Sequence, residues 1–472
     1  MTTEPKQTWS HQPPAIDFLC RMQNSMLESW MGTGKSYMVV ETLRRTATTG
    51  RKQSIILCPA AVLPVWRGQF QTHAPGQFDV VILDGSGGSK AKAEKVNEAL
   101  TRRKCGGLPL VVVVNYETFW RPAVWSILNT NTWERITADE SHKIKSPDHR
   151  CKCAIHAWHL GKRCGARTAM TGTLMPNGPM DVFSQYRFLQ ENIFGRYITH
   201  FRNKYAIMNK YIPQKVDEWV NQEEMSVKIN LLRYSISRDV LVLPDKQDIL
   251  IEVPLAPSGM KSYKEMQKEA IAEIRQKIVL MDGEEKEKVR LVVAQNGAVK
   301  FLRCLQLAQG YSKDEDGVEV DTDTQKRKML LELLEEANEP VCVYGYFKHD
   351  LRVVEDCARL LGLRYGEISG ERKDLTDHGK MPDDIDVMAV QCKSGSSGID
   401  LTRARIGIVM NSGLLSPGDF DQMMARQYRP GQTQNMVYYH LITPKTVDET
   451  IARARQEKRD VVDAILNSEE FF

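Results

Sequence analysis

The sequence predicts an α/β protein of two lobes, each a mostly parallel sheet flanked by helices, with a charged helical insertion between them. One observation is the length of 472 residues, because a single core rarely grows past about 250–300 residues. The second is that apolar runs alternate with helical stretches, and the third is that this alternation restarts after about residue 340. Such alternation is typical of βαβ units. We expect lobes at 1–247 and 248–472, with a helical linking region at about 254–325.

The first lobe shows this alternation clearly. A helix is predicted at KSYMVVETLRRTA, directly after a glycine-rich stretch, and further helices at AEKVNEALTRRK and DVFSQYRFL. The predicted strands, each short and apolar, are QSIILC, FDVVILDG, LPLVVVVN, ERITADE and ARTAMTGT. Their enrichment in valine and isoleucine is typical of buried parallel strands.

The second lobe repeats the rhythm. Strands are predicted at VCVYGYF, DVMAVQ, ARIGIVMN and NMVYYHLI, and helices at HDLRVVEDCARLLG, FDQMMARQY and TVDETIARARQEKRDVVDAIL. Between the lobes, the acidic run YSKDEDGVEVDTD is interpreted as an exposed loop because it holds few apolar residues.

Composition narrows the class of protein. The formal net charge is +4, which leaves room for a local basic groove without indicating a nucleic-acid partner by itself.

We expect no membrane span, because about 18 consecutive apolar residues are absent, and the polar N-terminus is unlike a signal peptide. The ten cysteines form no C-x-x-C pair, so we expect reduced, mostly buried thiols in a cytoplasmic protein.

Cysteines and histidines crowd into HRCKCAIHAWHLGKRC, residues 149–164. A zinc site is one interpretation, with His149, Cys153 and His156 on one helical face. An amphipathic helix is the other interpretation, and we favour it because this spacing does not place a fourth ligand.

A phosphate-binding loop is predicted at ESWMGTGKS, residues 28–36. Its end matches the pattern G-x-x-x-x-G-K-[ST], except that Ser29 stands where the first glycine belongs. Backbone N–H groups at a helix N-terminus favour an anion there, and glycines allow its close approach. We expect Lys35 to pair with the β- and γ-phosphates and Ser36 to bind Mg²⁺ through its hydroxyl. The predicted nucleotide-binding residues of the loop are Gly32, Thr33, Gly34, Lys35 and Ser36.

An acidic pair about a hundred residues downstream fits the same chemistry. Asp139 and Glu140 end a predicted strand, the position at which open α/β sheets bind ligands. We expect Asp139 to bind Mg²⁺ and Glu140 to orient or deprotonate the attacking water. An acidic helix cap is the alternative, and the upstream loop argues against it.

These residues resemble the superfamily-two helicases, and the Swi/Snf-type branch most closely, over nearly the whole chain. MGTGKS and DESH resemble the family's first and second motifs, and SHQPPAIDFL resembles its adenine-reading segment, with Gln12 as the reader. LCPAAVLPVWRGQF, MTGTLMPNGPMDVFSQYRFL and YSISRDVLVLPDK resemble further segments of the first lobe.

In the second lobe, KSGSSGIDL resembles the fifth motif and QMMARQYRPGQ the sixth, Q-x-x-x-R-x-x-R-x-G-Q. The matching positions of the sixth are Gln422, Arg426, Arg429, Gly431 and Gln432. This chain departs from the pattern without losing a catalytic group. Asp400 replaces an asparagine and adds a negative charge near the expected phosphate path, and the other departures are Ser29, Ser141, Ser396, Ala425 and Tyr428.

The resemblance implies two RecA-like lobes that bind ATP and Mg²⁺ between them. Lys35, Asp139 and Glu140 would stand on one wall, and Arg426 and Arg429 would approach from the other and stabilise charge on the γ-phosphoryl group. It also implies nucleotide contacts at Gln422, Gly398 and Asp400. Expected nucleic-acid contacts lie in the segments Cys58–Trp66, Asn115–Glu117, Thr171–Thr173 and Lys393–Gly398, and the contacting residues are Pro59, Asn115, Thr171, Thr173, Lys393 and Ser394.

The function that the resemblance implies is an ATP-dependent translocase or helicase acting on duplex or branched DNA. It would contact the backbone with little sequence preference, as a compact, monomeric motor of prokaryotic or phage type. We expect it in the cytoplasm with the nucleoid, or in the host cytoplasm, serving replication or recombination or a nuclease partner. The alternatives are an RNA-directed helicase, a strand-separating DNA helicase and a non-catalytic nucleic-acid clamp, against which the intact set of site residues argues.

Overall fold

The computed structural model describes residues 8–47, 53–85, 87–148, 150–176, 178–209, 216–279, 301–313, 318–376, 379–392 and 399–457. The chain divides into two compact units, Met1–Val242 and Leu243–Phe472. Each unit contains one large parallel sheet with helices on its faces, which confirms the predicted fold class.

The first unit contains a seven-stranded sheet in the order β3-β4-β2-β5-β6-β1-β9, with every pair parallel. Its strands are β1 (Asn24–Ser29), β2 (Gln53–Cys58), β3 (Asp79–Ile82), β4 (Leu110–Asn115), β5 (Trp133–Asp139), β6 (Cys164–Thr171) and β9 (Arg233–Ile236), and a small hairpin joins β7 (Ala206–Met208) to β8 (Val216–Trp219). The helices are α1 (Gln12–Arg21), α2 (Lys35–Ala47), α3 (Leu63–His73), α4 (Ser89–Lys104), α5 (Pro122–Thr130), α6 (Lys152–Gly161), α7 (Met180–Leu189), α8 (Ile198–Tyr205) and α9 (Gln222–Asn230).

Burial on both faces explains the uninterrupted apolar strands of this unit. Successive side chains of a strand point to opposite faces of the sheet. Along β4, Val112 and Val114 pack into one hydrophobic core, and Val111 and Val113 pack into the core on the other face. The run LVVVV therefore contributes side chains to both hydrophobic cores, as expected for a parallel sheet covered by helices on both faces.

The second unit contains a six-stranded parallel sheet in the order β10-β17-β16-β13-β15-β14. Its strands are β10 (Lys246–Glu252), β13 (Val341–Gly345), β14 (Tyr365–Ile368), β15 (Val387–Gln391), β16 (Ile406–Val409) and β17 (Met436–Ile442). The helices are α10 (Pro257–Val279), α11 (described over 301–308), α12 (Gln325–Glu336), α13 (Lys348–Leu360), α14 (Pro417–Met424) and α15 (Val447–Gln456). Because β10 pairs with β17, the chain has already entered the second unit at Lys246.

Two sequence interpretations were wrong in this unit. The acidic run was interpreted as an exposed loop, but a hairpin of β11 (Tyr311–Lys313) and β12 (Glu319–Asp321) forms there. The reason is that the Tyr311 ring is buried and stacks on His349, with 3.9 Å between the ring centroids. The helix predicted over FDQMMARQY ends early, at Met424, so the two arginines that follow lie in turns.

The cysteines are all free, and six of the ten are buried. Burial raises the pKa of several of these thiols, as at Cys164, where it reaches about 12. Within the described residues, the helices include none that combines the length and the apolar character needed to cross a bilayer.

A buried ion pair and two further hydrogen bonds join four segments of the second unit. The ammonium of Lys326 on α12 lies 2.6 Å from a carboxylate oxygen of Asp448 on α15, and both side chains are at least 92% buried, with exposed fractions of 5% and 8%. Lys326 also donates to the side chain of Gln309 and to the backbone carbonyl of Met410. The ammonium therefore makes three hydrogen bonds in a buried site.

Replacing Lys326 by methionine should destabilise the second unit, because Asp448 would keep a buried charge without its partner. Breaking such a pair typically costs about 3–5 kcal/mol. The measurement is the free energy of unfolding from urea titration followed by fluorescence. Lys328→Met on the exposed face of the same helix is the matched control, and equal midpoints for the two variants would contradict the prediction.

Candidate functional site

The parallel sheet of the first unit gathers the predicted site residues at one edge. Since all strands point the same way, their carboxyl ends lie together, where open α/β sheets bind ligands. Ser29, Asp139 and Thr171 end three adjacent strands, β1, β5 and β6, and Asn115 ends β4. Residues far apart in the sequence therefore meet on one surface.

The phosphate-binding loop joins β1 to α2. The strand ends at Ser29 and the helix begins at Lys35. Gly32 and Gly34 have φ values of 80° and 86°, a region that other residues rarely adopt. The loop therefore depends on glycine at both positions and leads into the positive end of a helix dipole.

Ser29 has a structural explanation. Its side chain is buried, and its hydroxyl forms a hydrogen bond with the hydroxyl of Thr33, which in turn donates to the backbone carbonyl of Trp30 at 2.7 Å. A small polar residue at position 29 therefore stabilises the loop by a hydrogen bond between its two ends. Glycine could not make this bond.

The loop is also braced from α1. Gln12 donates from Nε2 to the backbone carbonyl of Thr33 at 3.1 Å, and His11 Nε2 lies 2.9 Å from the same oxygen. A Cβ atom on Gly34 would overlap the Gln12 amide. The predicted adenine reader therefore packs directly against the phosphate-binding loop.

Lys35 lies over the start of the loop. Its ammonium donates to the carbonyl of Ser29 at 2.8 Å and is 3.4 Å from that of Trp30. A Cβ built on Gly172 would be 3.9 Å from the ammonium nitrogen. The lysine is thus held between the loop and the segment that follows β6.

Asp139 is buried beneath this loop. Trp66 donates its indole N–H to Asp139 Oδ2 at 3.1 Å, and the Tyr116 hydroxyl donates to the Asp139 backbone carbonyl at 2.7 Å. Burial and the charge of Glu140 raise the pKa of Asp139 to about 7, and the nearby Lys35 ammonium acts in the opposite direction. The loop lysine and the strand-end carboxylate are therefore close enough to interact electrostatically.

Glu140 adopts a left-handed backbone conformation, with φ 50°. Such a conformation costs a non-glycine residue of order 1–3 kcal/mol and is concentrated at functional sites. Its carboxylate lies 3.4 Å from His142 Nδ1, and His142 is 3.5 Å from the Thr171 hydroxyl. The turn therefore aims Glu140 out of the strand and connects it to the end of β6.

The predicted nucleic-acid contacts of this unit lie after the strands β2, β4 and β6 or at their ends. The Thr171 hydroxyl donates to the Thr173 carbonyl at 2.9 Å, which forms a local turn, and Asn115 donates to Glu117 at 2.8 Å. Pro59 follows β2 directly. The segments Cys58–Trp66 and Asn115–Glu117 were expected to line the nucleic-acid face, and this was wrong for Cys58, Trp66 and Tyr116, which are buried. Trp66 and Tyr116 bond to Asp139 instead.

In the second unit, the described sixth-motif residues lie beside the end of the fifth motif. Arg429 donates to the carbonyl of Ile399 at 3.2 Å, and the carbonyl of Arg426 accepts from the Leu401 N–H. Gln422 lies on α14 and is partly exposed. The Asp400 carboxylate accepts two hydrogen bonds from Thr402, one from its N–H and one from its hydroxyl. The added negative charge is therefore bound within a local turn.

Several predicted residues lie outside the part of the chain that the structure describes. They are Lys393, Ser394 and Gly398 of the fifth motif, Asn177 after β6, and His149 of the cysteine and histidine cluster. Among the described residues, no group of three or more histidine, cysteine, aspartate or glutamate side chains is arranged to hold a metal ion.

The first unit provides groups that fit a nucleoside triphosphate with Mg²⁺. The loop has glycines for close approach and a lysine, and Asp139 and Ser36 offer the oxygen ligands that Mg²⁺ prefers. When bound, Mg²⁺ would neutralise phosphate charge. The chemistry of this donor set therefore agrees with the predicted cofactors.

A phosphate-binding loop, a strand-end acidic pair and two parallel sheets define a nucleotide-binding protein of the RecA-like class. The model of the SNF2-related domain matches residues 11–298, more than half of the chain. The chain belongs to this family, which confirms the resemblance to Swi/Snf-type proteins.

Three proteins illustrate the similarity. A chromodomain-helicase-DNA-binding protein 1-like from Danio rerio is 22% identical over 464 residues, covering 95% of this chain and 42% of the relative. The DNA repair and recombination protein RAD54-like of Mus musculus is 21% identical over 514 residues, with 98% and 66% covered. The SWI2/SNF2 ATPase core of Sulfolobus solfataricus in complex with dsDNA matches at a TM-score of 0.43 and 20% identity, covering 100% of this chain and 96% of that one. The chain spans less than two thirds of the length of the two curated relatives.

Sequence reasoning missed three side chains that shape the site. Trp66 and Tyr116 hold Asp139 through hydrogen bonds, and His142 contacts Glu140. His142 is the fourth residue of DESH, so the motif itself contains the signal. Trp66 and Tyr116 lie in segments for which nucleic-acid contacts were expected, and their contacts with Asp139 arise instead from the packing of α3 and the end of β4.

Gly34→Ala should weaken nucleotide binding, because the new Cβ would push the Gln12 amide away from the loop while the backbone is held at a φ of 86°. The measurement is the change in fluorescence of a labelled ATP. Gly76→Ala is the matched control, since Gly76 has a φ of 67° but open space around the added atom. That control should cost stability by about 1 kcal/mol and bind normally. Undiminished binding to Gly34→Ala would contradict the proposed packing.

Proposed function

We propose that the chain is an ATP-dependent DNA translocase of the Swi/Snf type, which couples ATP hydrolysis to movement along duplex or branched DNA. The observation that supports this most is the cluster of Lys35, Asp139 and Glu140 at one sheet edge, braced by Gln12 and Trp66. Membership of the SNF2-related family supports the same function.

In this proposal the first unit binds and polarises the nucleotide. Lys35 leaves the carbonyl of Ser29 to pair with the phosphates, and Ser36 and Asp139 bind Mg²⁺. Glu140 orients or deprotonates the attacking water, and its left-handed backbone aims the carboxylate away from the strand. Gln12 senses the base through its contact with the loop.

The second unit supplies positive charge to the same nucleotide. Arg426 and Arg429 stabilise the charge that builds on the γ-phosphoryl group, and such arginines are typically worth about 10³–10⁵ in rate. Gln422, Gly398 and Asp400 complete the nucleotide contacts of this unit. Turnover then requires both units, which links hydrolysis to movement of the protein on its track.

The track is proposed to be DNA held through its phosphates. Pro59, Asn115, Thr173, Lys393 and Ser394 are the proposed contacts, whereas Thr171 is fully buried and is no longer proposed. Binding of this kind tolerates any sequence and weakens with salt. The names of the two curated relatives refer to DNA rather than RNA. RNA tracking and strand separation are the alternatives that the experiment below tests. A DNA track places the motor with the nucleoid, or with phage DNA in a host cytoplasm, where replication, recombination or nuclease proteins would be its partners.

Lys35→Ala and Glu140→Gln should each reduce DNA-stimulated ATP turnover by at least about 10²-fold, the lower range of a lost general base. The measurement is phosphate release with single-stranded DNA, duplex, forked DNA and RNA in parallel. Duplex or forked DNA should stimulate most.

Lys143→Ala is the control, because Lys143 is exposed on the same turn as Glu140. It should retain full turnover. Stimulation by RNA alone would favour the RNA alternative, and an unstimulated wild-type protein would remove the motor proposal.

A further inference from the structure

Positive charge is concentrated in one segment of the first unit. Residues 150–205 contain nine lysine and arginine residues and two acidic residues, a net charge of +7, whereas the whole chain has +4. This segment forms α6, β6, α7 and α8. The rest of the chain is therefore slightly acidic, so the excess positive charge of the protein is confined to this segment.

Three of these cations surround one indole ring. The Trp158 ring centroid lies 5.1 Å from Lys162 Nζ, 4.8 Å from Arg187 Cζ and 5.6 Å from Arg196 Cζ. Trp158 is buried, whereas the side chains of Lys162 and Arg196 are 47% and 54% exposed. The indole therefore contacts the charged heads of all three cations, and the side chains of Lys162 and Arg196 remain about half exposed to solvent.

We define the basic surface as Lys162, Arg163, Arg187 and Arg196, together with Tyr197, which is 57% exposed beside Arg196. Arg163 follows Lys162 and is exposed.

The basic surface retains net positive charge. Glu191 lies 3.2 Å from Lys162 and 3.8 Å from Arg196, so one carboxylate serves two cations. The pKa of His159, which contacts Trp158, is lowered by burial and then by the neighbouring cations, among them Arg187. The surrounding potential is therefore positive.

This surface lies at the sheet edge opposite the candidate site. Lys162 and Arg163 directly precede β6, and Arg187 is near the end of α7, whereas Thr171 at the far end of β6 belongs to the site edge. Eight residues of strand separate the two edges by roughly 25 Å. The basic surface is thus too far from Lys35 and Asp139 to take part in binding the nucleotide.

We propose that the basic surface binds the phosphate backbone of a second DNA segment, separate from the segment on the site edge; this rests on the proposed function. Exposed arginine forks suit phosphate oxygens, and a tyrosine hydroxyl can donate to them. Protein interfaces instead bury an apolar centre with few charges. A straight duplex on one edge would not reach the other, so the second segment is another arm of a branched DNA.

The test compares a three-way DNA junction with a linear duplex of equal length, using Lys162→Gln/Arg163→Gln/Arg196→Gln. The triple variant should lose about 10-fold in junction affinity, and its salt slope should fall by about 2.7, which is about 0.9 for each of the three lost phosphate contacts. Its affinity for the linear duplex and its DNA-independent ATP turnover should stay at the wild-type values. Glu191→Gln should bind the junction more tightly, and this holds even if the triple variant fails to fold.

The matched control is Lys90→Gln/Lys95→Gln/Lys104→Gln, which removes the same charge from exposed positions on α4. Equal junction affinities for the two triple variants would overturn the proposal, as would an equal loss on junction and linear duplex. Binding of polyglutamate to the wild type but not to the first triple variant, with junction affinity unchanged, would overturn it in favour of an acidic protein partner.

A failure of the second-segment proposal can be distinguished from a failure of the proposed function. A wild-type protein whose ATP turnover no DNA stimulates would remove both proposals. Normal stimulation in the wild type and in both triple variants, with equal junction binding, would remove only the second DNA segment.

Discussion

The parallel direction of the strands is the constraint on which the rest of the structure depends. In the first unit it brings the carboxyl ends of β1, β5 and β6 side by side, so that Ser29, Asp139 and Thr171 share one edge. Neighbouring strands are about 4.8 Å apart, which is why groups separated by more than a hundred residues in the sequence can act on one ligand. The same direction places the chain segments that precede the strands at the opposite edge, where the basic surface lies.

The candidate site is assembled by contacts that hold a lysine and two carboxylates close together at one edge of the sheet. Lys35 donates to a backbone carbonyl, and Asp139 accepts from an indole N–H and interacts electrostatically with Lys35. Burial keeps the pKa of Asp139 high, near 7. A lysine beside a loop with two glycines suits a polyanion, and the neighbouring carboxylate suits its metal ion.

The sequence predicted most of the large elements, because their apolar runs and helical stretches are long and regular. The loop and the acidic pair were also predictable, since their spacing reflects the chemistry of phosphate binding. What sequence could not predict came from tertiary packing: Trp66 was expected at a nucleic-acid surface but bonds Asp139, and the acidic run forms a hairpin because Tyr311 stacks on His349. The helix before Arg426 ended early, at Met424, and no feature of its composition indicated that boundary.

The central proposal is that arginines of the second unit act on the nucleotide bound by the first. The most direct measurement compares labelled-ATP affinity with DNA-stimulated ATP turnover in Arg429→Ala. We predict an affinity within a few-fold of wild type and a turnover lower by about 10³-fold, the typical value of an arginine that acts on the γ-phosphoryl group. Wild-type turnover in Arg429→Ala would contradict the proposal and leave the first unit as an independent nucleotide site.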